Sequence, residues 1–137
     1  MAAVIESALA AILPQHCFAC GAGSGSAVLC PACRDALPGA DIPRCPVCAI
    51  AQPHGAVCGA CLREAPTFDA SRAALDYAFP VDKLVQALKY GHRLAVSRLF
   101  VDLMLALPVP AGDVVVPMPL HPLRLRTRGF NQAGELA

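Results

Sequence analysis

The placing of cysteine constrains this sequence more than any other feature. All eight cysteines lie in four Cys-x-x-Cys pairs. Each half of the set reads C-x2-C-x9-C-x2-C, and a shift of 28 residues places the first four cysteines on the second four. Such an internal repeat indicates one small folding unit that occurs twice. The pairs are Cys17/Cys20, Cys30/Cys33, Cys45/Cys48 and Cys58/Cys61.

Paired Cys-x-x-Cys turns are typical of structural zinc sites. One such turn places two sulfurs on the same side of a tight loop, and two turns complete a tetrahedral site with Zn–S distances of about 2.3 Å. "CPAC" and "CPVC" carry proline after the first cysteine, while "CGAG" and "CGAC" carry glycine after a cysteine. Both residues suit a tight turn, because proline fixes φ and glycine permits positive φ. We therefore predict two structural zinc ions, each held by four cysteines.

Three other uses of paired cysteines fit the sequence less well. Disulfides require an oxidising compartment, and the apolar N-terminus has Glu6 where an export signal needs positive charge. A thioredoxin-like redox site uses one Cys-x-x-Cys pair in a βαβ unit. Iron–sulfur ferredoxins space their cysteines more tightly. Zinc and a cytoplasmic location follow as the favoured interpretation.

Two ligand pairings remain open. In the sequential pairing the first four cysteines hold one ion and the last four hold the other. In the interleaved pairing of cross-braced sites, the first and third pairs share an ion, as do the second and fourth. The repeat favours the sequential form, because each repeat is then a complete folding unit. His16 and His54 lie near the ligands but are surplus to two all-cysteine sites, so we interpret them as exposed loop residues.

The composition fits a small metal-stabilised region followed by a second domain. Charged residues make up 15% of the 137 residues and the formal net charge is +1, which argues against bulk affinity for nucleic acid or membrane. The longest apolar run is interrupted by Asp102 and is too short to span a bilayer. We predict an N-terminal helix over 1–14, a double zinc ribbon over 15–66 (first ribbon 15–37, second 43–64) and a further domain over 67–137.

The second half has the pattern of an opening α/β domain. Residues 72–79 alternate in the manner of a half-buried strand. A helix follows over "KLVQALKY", capped by Asp82 and ended by Gly91, and a longer helix fits residues 93–107. Residues 114–116 are three valines, as expected of a buried parallel strand.

Three arginines alternate after that strand, where ligands of α/β sheets bind. In an extended loop Arg124, Arg126 and Arg128 would point to one side, and arginine suits phosphate oxygens. A helix that starts near Asn131 would add amide donors. The local pattern fits a solvated basic loop equally well.

Together, the tandem four-cysteine ribbons, "LKYGHR" and "VPMPLHPLRLRTRGFNQAGELA" resemble the competence protein F (ComF) family, phosphoribosyltransferase-like proteins linked to DNA uptake. The resemblance covers nearly the whole chain. It implies a type I phosphoribosyltransferase-like domain in which Val114–Leu120 includes the loop that meets pyrophosphate. Lys89 and Tyr90 fall in the family's "KY" element, to which we assign no role. The residues that the resemblance places beside the phosphate site are Arg124, Arg126, Arg128, Asn131 and Gln132.

One departure from the family limits the functional prediction. Family members later carry two acidic residues and a Thr/Gly-rich loop that hold phosphoribosyl pyrophosphate (PRPP), and this sequence has neither. We therefore expect a truncated member or N-terminal fragment: a tandem of metal-stabilised β-hairpin zinc ribbons, then the incomplete start of an α/β phosphoribosyltransferase-like domain. This chain should lack transferase activity, whereas its parent would bind PRPP or a related phosphoribosyl compound. The alternative is a non-enzymatic zinc-ribbon adaptor that binds single-stranded DNA or a DNA-processing partner such as a competence helicase.

Overall fold

The computed structural model describes residues 15–39, 41–108 and 112–137. The helix predicted over residues 1–14 lies outside this part of the chain. The described residues form two short strands, which pair with each other, and five helices. In chain order the elements are β1 (Gln15–His16), β2 (Gly23–Gly25), α1 (Pro31–Asp35), α2 (Gly59–Arg63), α3 (Val81–Tyr90), α4 (Ala95–Leu105) and α5 (Pro122–Arg128).

The first ribbon begins with a β-hairpin around a Cys-x-x-Cys turn. Strands β1 and β2 are antiparallel, with Gln15 opposite Gly25. Inside the hairpin the backbone N–H of Cys17 donates to the carbonyl of Ala22 at 2.7 Å. Gly21 closes the turn at a φ of 75°, a conformation that glycine adopts without steric cost. The turn thus directs both cysteine sulfurs of the pair to one side.

Each ribbon is completed by a five-residue helix that starts directly after a cysteine. Cys30 is the N-cap of α1 and Cys58 is the N-cap of α2. Pro31 occupies the first turn of α1, where its missing N–H would have no partner in any case. The second cysteine of each pair, Cys33 or Cys61, lies within the helix. The two repeat units therefore share this local structure, as the 28-residue shift predicts.

The second ribbon is tied to the following segment by an arginine. Arg44 pairs with Ala51 in a single antiparallel bridge. Its guanidinium donates to Oδ1 of Asp76 at 2.7 Å and to the carbonyl of Gly39 at 3.2 Å. These contacts join the linker between the ribbons, the second ribbon and the segment that leads to α3.

Helices α3 and α4 pack against each other. Helix α3 begins at Val81, one residue before the predicted cap, so Asp82 lies in the first turn and Pro80 takes the N-cap position. Gly91 ends the helix as expected. Helix α4 is shorter than the predicted range of 93–107. Leu99 is buried, whereas Leu103 and Leu107, whose spacing along that range also predicts burial, are only half-buried. Within the described ranges, no helix combines the length and apolar character needed to cross a bilayer.

One hydrophobic core joins the first ribbon to these helices. Leu29 and Leu37 of the ribbon pack with Leu84, Leu88 and Val96, and all five side chains are buried. The buried thiol of the first cysteine belongs to the same cluster. The first ribbon and the helical hairpin are therefore one packed unit across the domain boundary predicted at residues 66 and 67.

The two strands predicted in the second half are not formed. Residues 72–79 contain bends and a turn but no strand, and Tyr77 and Phe79 are exposed. Val114, Val115 and Val116 belong to no strand or helix, and each is more than 70% exposed, so the prediction of a buried strand was wrong for this chain. A strand needs a neighbour to satisfy its backbone groups, and the described residues provide none.

We predict that Gly39→Ala lowers the free energy of unfolding more than Gly25→Ala does. Both glycines have positive φ, which costs a residue with a Cβ about 1–3 kcal/mol. At Gly39 a Cβ would also lie 2.6 Å from Nη2 of Arg44 and 2.7 Å from the backbone N of Asp76, whereas at Gly25 it would meet nothing within 4 Å.

Urea unfolding of the zinc-saturated variants measures this difference. Equal losses at the two glycines would mean that the Arg44–Asp76 contact tolerates a methyl group, contrary to the close packing seen at Gly39.

Candidate metal centres and cationic cavity

The eight cysteines form two clusters with the geometry of tetrahedral four-thiolate sites. Within each cluster all four sulfurs lie within 4.8 Å of one another. The Sγ atoms of Cys20 and Cys30 are 3.8 Å apart, and those of Cys48 and Cys58 are 3.6 Å apart. Two sulfurs that bind one zinc ion at tetrahedral angles are about 3.8 Å apart, given Zn–S bonds of about 2.3 Å. The thiols are unbridged. The clusters are thus compatible with two structural zinc ions.

The sequential pairing predicted from the repeat is the one that the structure forms. One cluster gathers Cys17, Cys20, Cys30 and Cys33, and the other gathers Cys45, Cys48, Cys58 and Cys61. His16 and His54 belong to neither cluster, and both are exposed. Nδ1 of His16 instead lies 3.1 Å from the carbonyl of Gly21.

Backbone amides stabilise the thiolate form at the first cysteine of each cluster. Hydrogen bonds from the N–H groups of Cys30 and Cys20 lower the pKa of the Cys17 thiol to about 6. The N–H of Cys48 is the main cause that lowers the pKa of Cys45 to about 6. Because zinc binds the thiolate and not the thiol, these amides prepare both cysteines for ligation.

The last cysteine of each cluster shows the opposite shift. Hydrogen bonds with the thiols of Cys20 and Cys30 raise the pKa of Cys33 to about 12. Burial, followed by hydrogen bonds with Cys58 and Cys48, raises the pKa of Cys61 to about 12. These thiols keep their protons at pH 7 in the absence of metal, so zinc binding must displace them.

The arginines predicted to line one side of an extended loop lie instead on helix α5. His121 caps this helix by accepting a hydrogen bond from the N–H of Leu123, and Gly129 ends it at a φ of 80°. Residues four apart share a face of a helix, whereas residues two apart do not. Arg124 and Arg128 therefore lie on one face and Arg126 on another, which corrects the expectation that all three point the same way.

A cavity of about 440 Å³ separates α5 from the C-terminal end of α3. Arg124 and Arg128, on the shared face of α5, line one side of it, and Lys89 and Tyr90 of the "LKYGHR" motif lie opposite. The described part of the chain contributes no carboxylate to the cavity. The lining residues are Lys89, Tyr90, His92, Leu123, Arg124, Thr127 and Arg128.

Arg128 is the buried charge of this site. The residue is 8% exposed, and its guanidinium lies 5.1 Å from the centre of the Tyr90 ring. Its Nη1 donates to Oε1 of Gln132. Among the described residues it forms no ion pair with a carboxylate. Burial of an uncompensated charge is costly, so the site is electrostatically prepared for an anion.

Asn131 lies outside the cavity and has a positioning role. Its Nδ2 donates to the carbonyl of Met118 at 3.0 Å, and its Oδ1 accepts from the N–H of Ala133 at 3.1 Å. The side chain thus ties the chain after α5 to the segment before that helix. His92 and Thr127 are cavity residues that the sequence interpretation missed, although His92 follows Lys89 and Tyr90 in the same "LKYGHR" motif.

Comparison with known proteins identifies the cysteine-rich part. Residues 8–62 match the double zinc ribbon domain, so the chain contains a double zinc ribbon. The chain is also similar to proteins named DNA utilization protein YhgH, with 32% identity over 100 residues in Salmonella typhi, 34% over 98 in Escherichia coli K12 and 33% over 98 in Shigella flexneri. Each alignment covers 65% of this chain but 43% of the relative. No solved structure gives a significant match.

We predict two zinc ions per chain and release of protons on binding at pH 7. The raised pKa values of Cys33 and Cys61 mean that zinc replaces bound protons, so affinity should fall as the pH falls. Elemental analysis gives the stoichiometry, and calorimetry in two buffers of different ionisation enthalpy gives the protons released. One zinc per chain, or a zinc-free chain with disulfides, would contradict the assignment.

Loss of a zinc ligand from the first cluster should destabilise helices α3 and α4, whereas loss of a ligand from the second cluster should not. Cys17→Ser removes a ligand that is packed in the core with Leu84, so amide protection from hydrogen exchange should fall in α3 and α4. Cys61→Ser removes a ligand of the second cluster, which lies outside that core, and should leave this protection unchanged. Equal loss of protection in the two variants would contradict the conclusion that helices α3 and α4 share their core with the first ribbon alone.

Proposed function

We propose that this chain is a ComF-like protein that acts in DNA uptake in the cytoplasm, with the double zinc ribbon as its scaffold. The second half is related to phosphoribosyltransferases and binds a phosphate-bearing ligand. Similarity to proteins named for DNA utilization supports the biological role, and the cysteine clusters support the scaffold role. Because zinc sites with four cysteine ligands leave no position for water, the metal centres are structural rather than catalytic.

The single observation that carries ligand binding is Arg128, which is buried and has no carboxylate partner among the described residues. Arg124 lies one helical turn away on the same face, and Lys89 approaches from α3. Three basic side chains thus line the cavity, and none of the described lining residues is a carboxylate. Guanidinium groups bind phosphate oxygens in a fork, and such charge-assisted hydrogen bonds are about twice as strong as neutral ones. Phosphate is therefore the ligand chemistry that this site fits best.

PRPP, or a related phosphoribosyl compound, is the first candidate ligand, by the resemblance to phosphoribosyltransferases. We assign no transfer reaction to this chain, since its sequence contains neither the acidic pair nor the Thr/Gly-rich loop that hold PRPP in that family. The second candidate ligand is single-stranded DNA. In that case the chain is a non-enzymatic adaptor that also binds a DNA-processing partner such as a competence helicase. It is favoured by the exposed aromatic ring of Tyr90 beside the basic residues.

We predict that Arg124→Gln weakens binding of the phosphate ligand by about tenfold or more, because hydrogen bonds to charged groups contribute about 1.5–3 kcal/mol each. Arg126→Gln is the matched control, since Arg126 lies on the same helix but outside the cavity, and it should leave the affinity nearly unchanged. Calorimetry with PRPP and fluorescence anisotropy with a labelled dT oligonucleotide measure the two candidates on the same preparations.

The salt dependence of the affinity for single-stranded DNA distinguishes phosphate contacts in the cavity from nonspecific binding. Each phosphate contact with single-stranded DNA contributes about 0.7 to the slope of log affinity against log salt, so Arg124→Gln should reduce that slope. Equal losses for Arg124→Gln and Arg126→Gln would indicate a diffuse basic surface and overturn the cavity assignment. Absence of binding to both PRPP and the oligonucleotide would overturn the proposed function.

A further inference from the structure

We infer that Tyr90 is a stacking platform for a nucleobase, so that the cavity accepts one nucleotide unit of a single-stranded nucleic acid. This inference rests on the second candidate of the proposed function, the binding of single-stranded DNA, and it assigns a ligand contact to the "KY" element. The observation behind it is that the exposed ring of Tyr90 lies between the buried guanidinium of Arg128 and the open cavity.

Tyr90 is exposed and yet held in place. It is the last residue of α3, and 71% of its surface is open to solvent. The buried guanidinium of Arg128 lies 5.1 Å from the ring centre and supports it from the side of α5. A cation near the face of an aromatic ring attracts the ring electrostatically without covering the rest of it. The ring thus has a contact on the side of α5 while most of its surface remains free for a ligand.

The surroundings of the ring select a ligand that combines an aromatic group with phosphate. Lys89 is the neighbour of Tyr90 in sequence, and Arg124 lines the same cavity from the opposite helix. A cavity of about 440 Å³ falls in the range of small-ligand pockets, about 300–1,000 Å³. A nucleotide supplies a base for the ring and a phosphate for the basic side chains. PRPP supplies only the phosphate and leaves the ring unused.

The geometry favours a single strand over a duplex. Bases in a duplex are stacked on one another and cannot reach a ring that lies in a concave site. Unpaired bases can leave the strand and stack on aromatic side chains, a mode that tolerates any base because every base has a π-face. Tyr77 illustrates the contrast, because it is exposed to a similar extent, 68%, but does not line this cavity.

Fluorescence anisotropy on the zinc-loaded 137-residue chain tests the inference with two oligonucleotides of about 12 nucleotides. One is a dT strand, and the other has the same sugar-phosphate backbone but no bases. Tyr90→Ala should weaken binding of the dT strand by about 5- to 150-fold, the range that loss of one stacked base gives. Tyr90→Phe should retain the affinity, and Tyr77→Ala should not change it. Unchanged zinc content and circular dichroism show that the variants are folded.

The abasic strand separates stacking from support of Arg128. If Tyr90 stacks on a base, Tyr90→Ala leaves the affinity for the abasic strand unchanged. Weakening by the same factor on both strands would show that the ring only positions Arg128, and the inference would fall. Loss of dT binding in Arg124→Gln but not in Tyr90→Ala would also overturn it while the proposed function stands. Failure of the unmodified chain to bind dT at all would remove the single-stranded DNA candidate together with the inference.

Discussion

Coordination of metal by the first four cysteines is the constraint on which the rest of this structure depends. The thiol of Cys17 is buried in the same cluster as Leu84 and Val96, so the metal site and the hydrophobic core are continuous. Helix α3 packs on that core with one face and presents Lys89 and Tyr90 to the cavity at its end. Because the ribbons contain few large apolar side chains, metal binding supplies the folding energy that a small core cannot. The position of the cavity residues is thus linked to a zinc site in a different part of the chain.

The parts of the fold that depend on local spacing were predictable from the sequence. Four sulfurs in a C-x2-C-x9-C-x2-C unit can reach one ion by local turns, and the structure forms both clusters in the sequential pairing. Helix α3 follows from the spacing of Leu84, Val85 and Leu88, of which the structure buries Leu84 and Leu88. The strand prediction at residues 114–116 was wrong because a strand is not a local structure: three valines favour extended backbone, but only a neighbouring strand makes them buried.

The prediction of an extended loop for the three arginines was wrong for a different reason. The sequence contained the signal that would have corrected it. Arginines at alternate positions indicate an extended backbone. Pro122 at the start and Gly129 at the end, however, are typical boundaries of a short helix. The helical form changes the chemistry, since it separates Arg126 from its two neighbours and brings Arg128 under Tyr90. No local pattern could have shown this contact or the burial of Arg128, because the two residues are far apart in sequence and meet only in the folded chain.

Formal charges suggest which half of the chain a polyanion approaches. Residues 1–66 carry three basic and four acidic side chains, and residues 67–137 carry eight and six. A zinc ion with four thiolates has a net charge of about −2, so two loaded clusters bring the ribbon half to about −5. Nucleic acid would therefore be repelled by the loaded ribbons and attracted to the basic side of the cavity. This separation of charge favours the ribbons as a scaffold or a surface for a protein partner, and it favours the space between α3 and α5 as the place where phosphate binds.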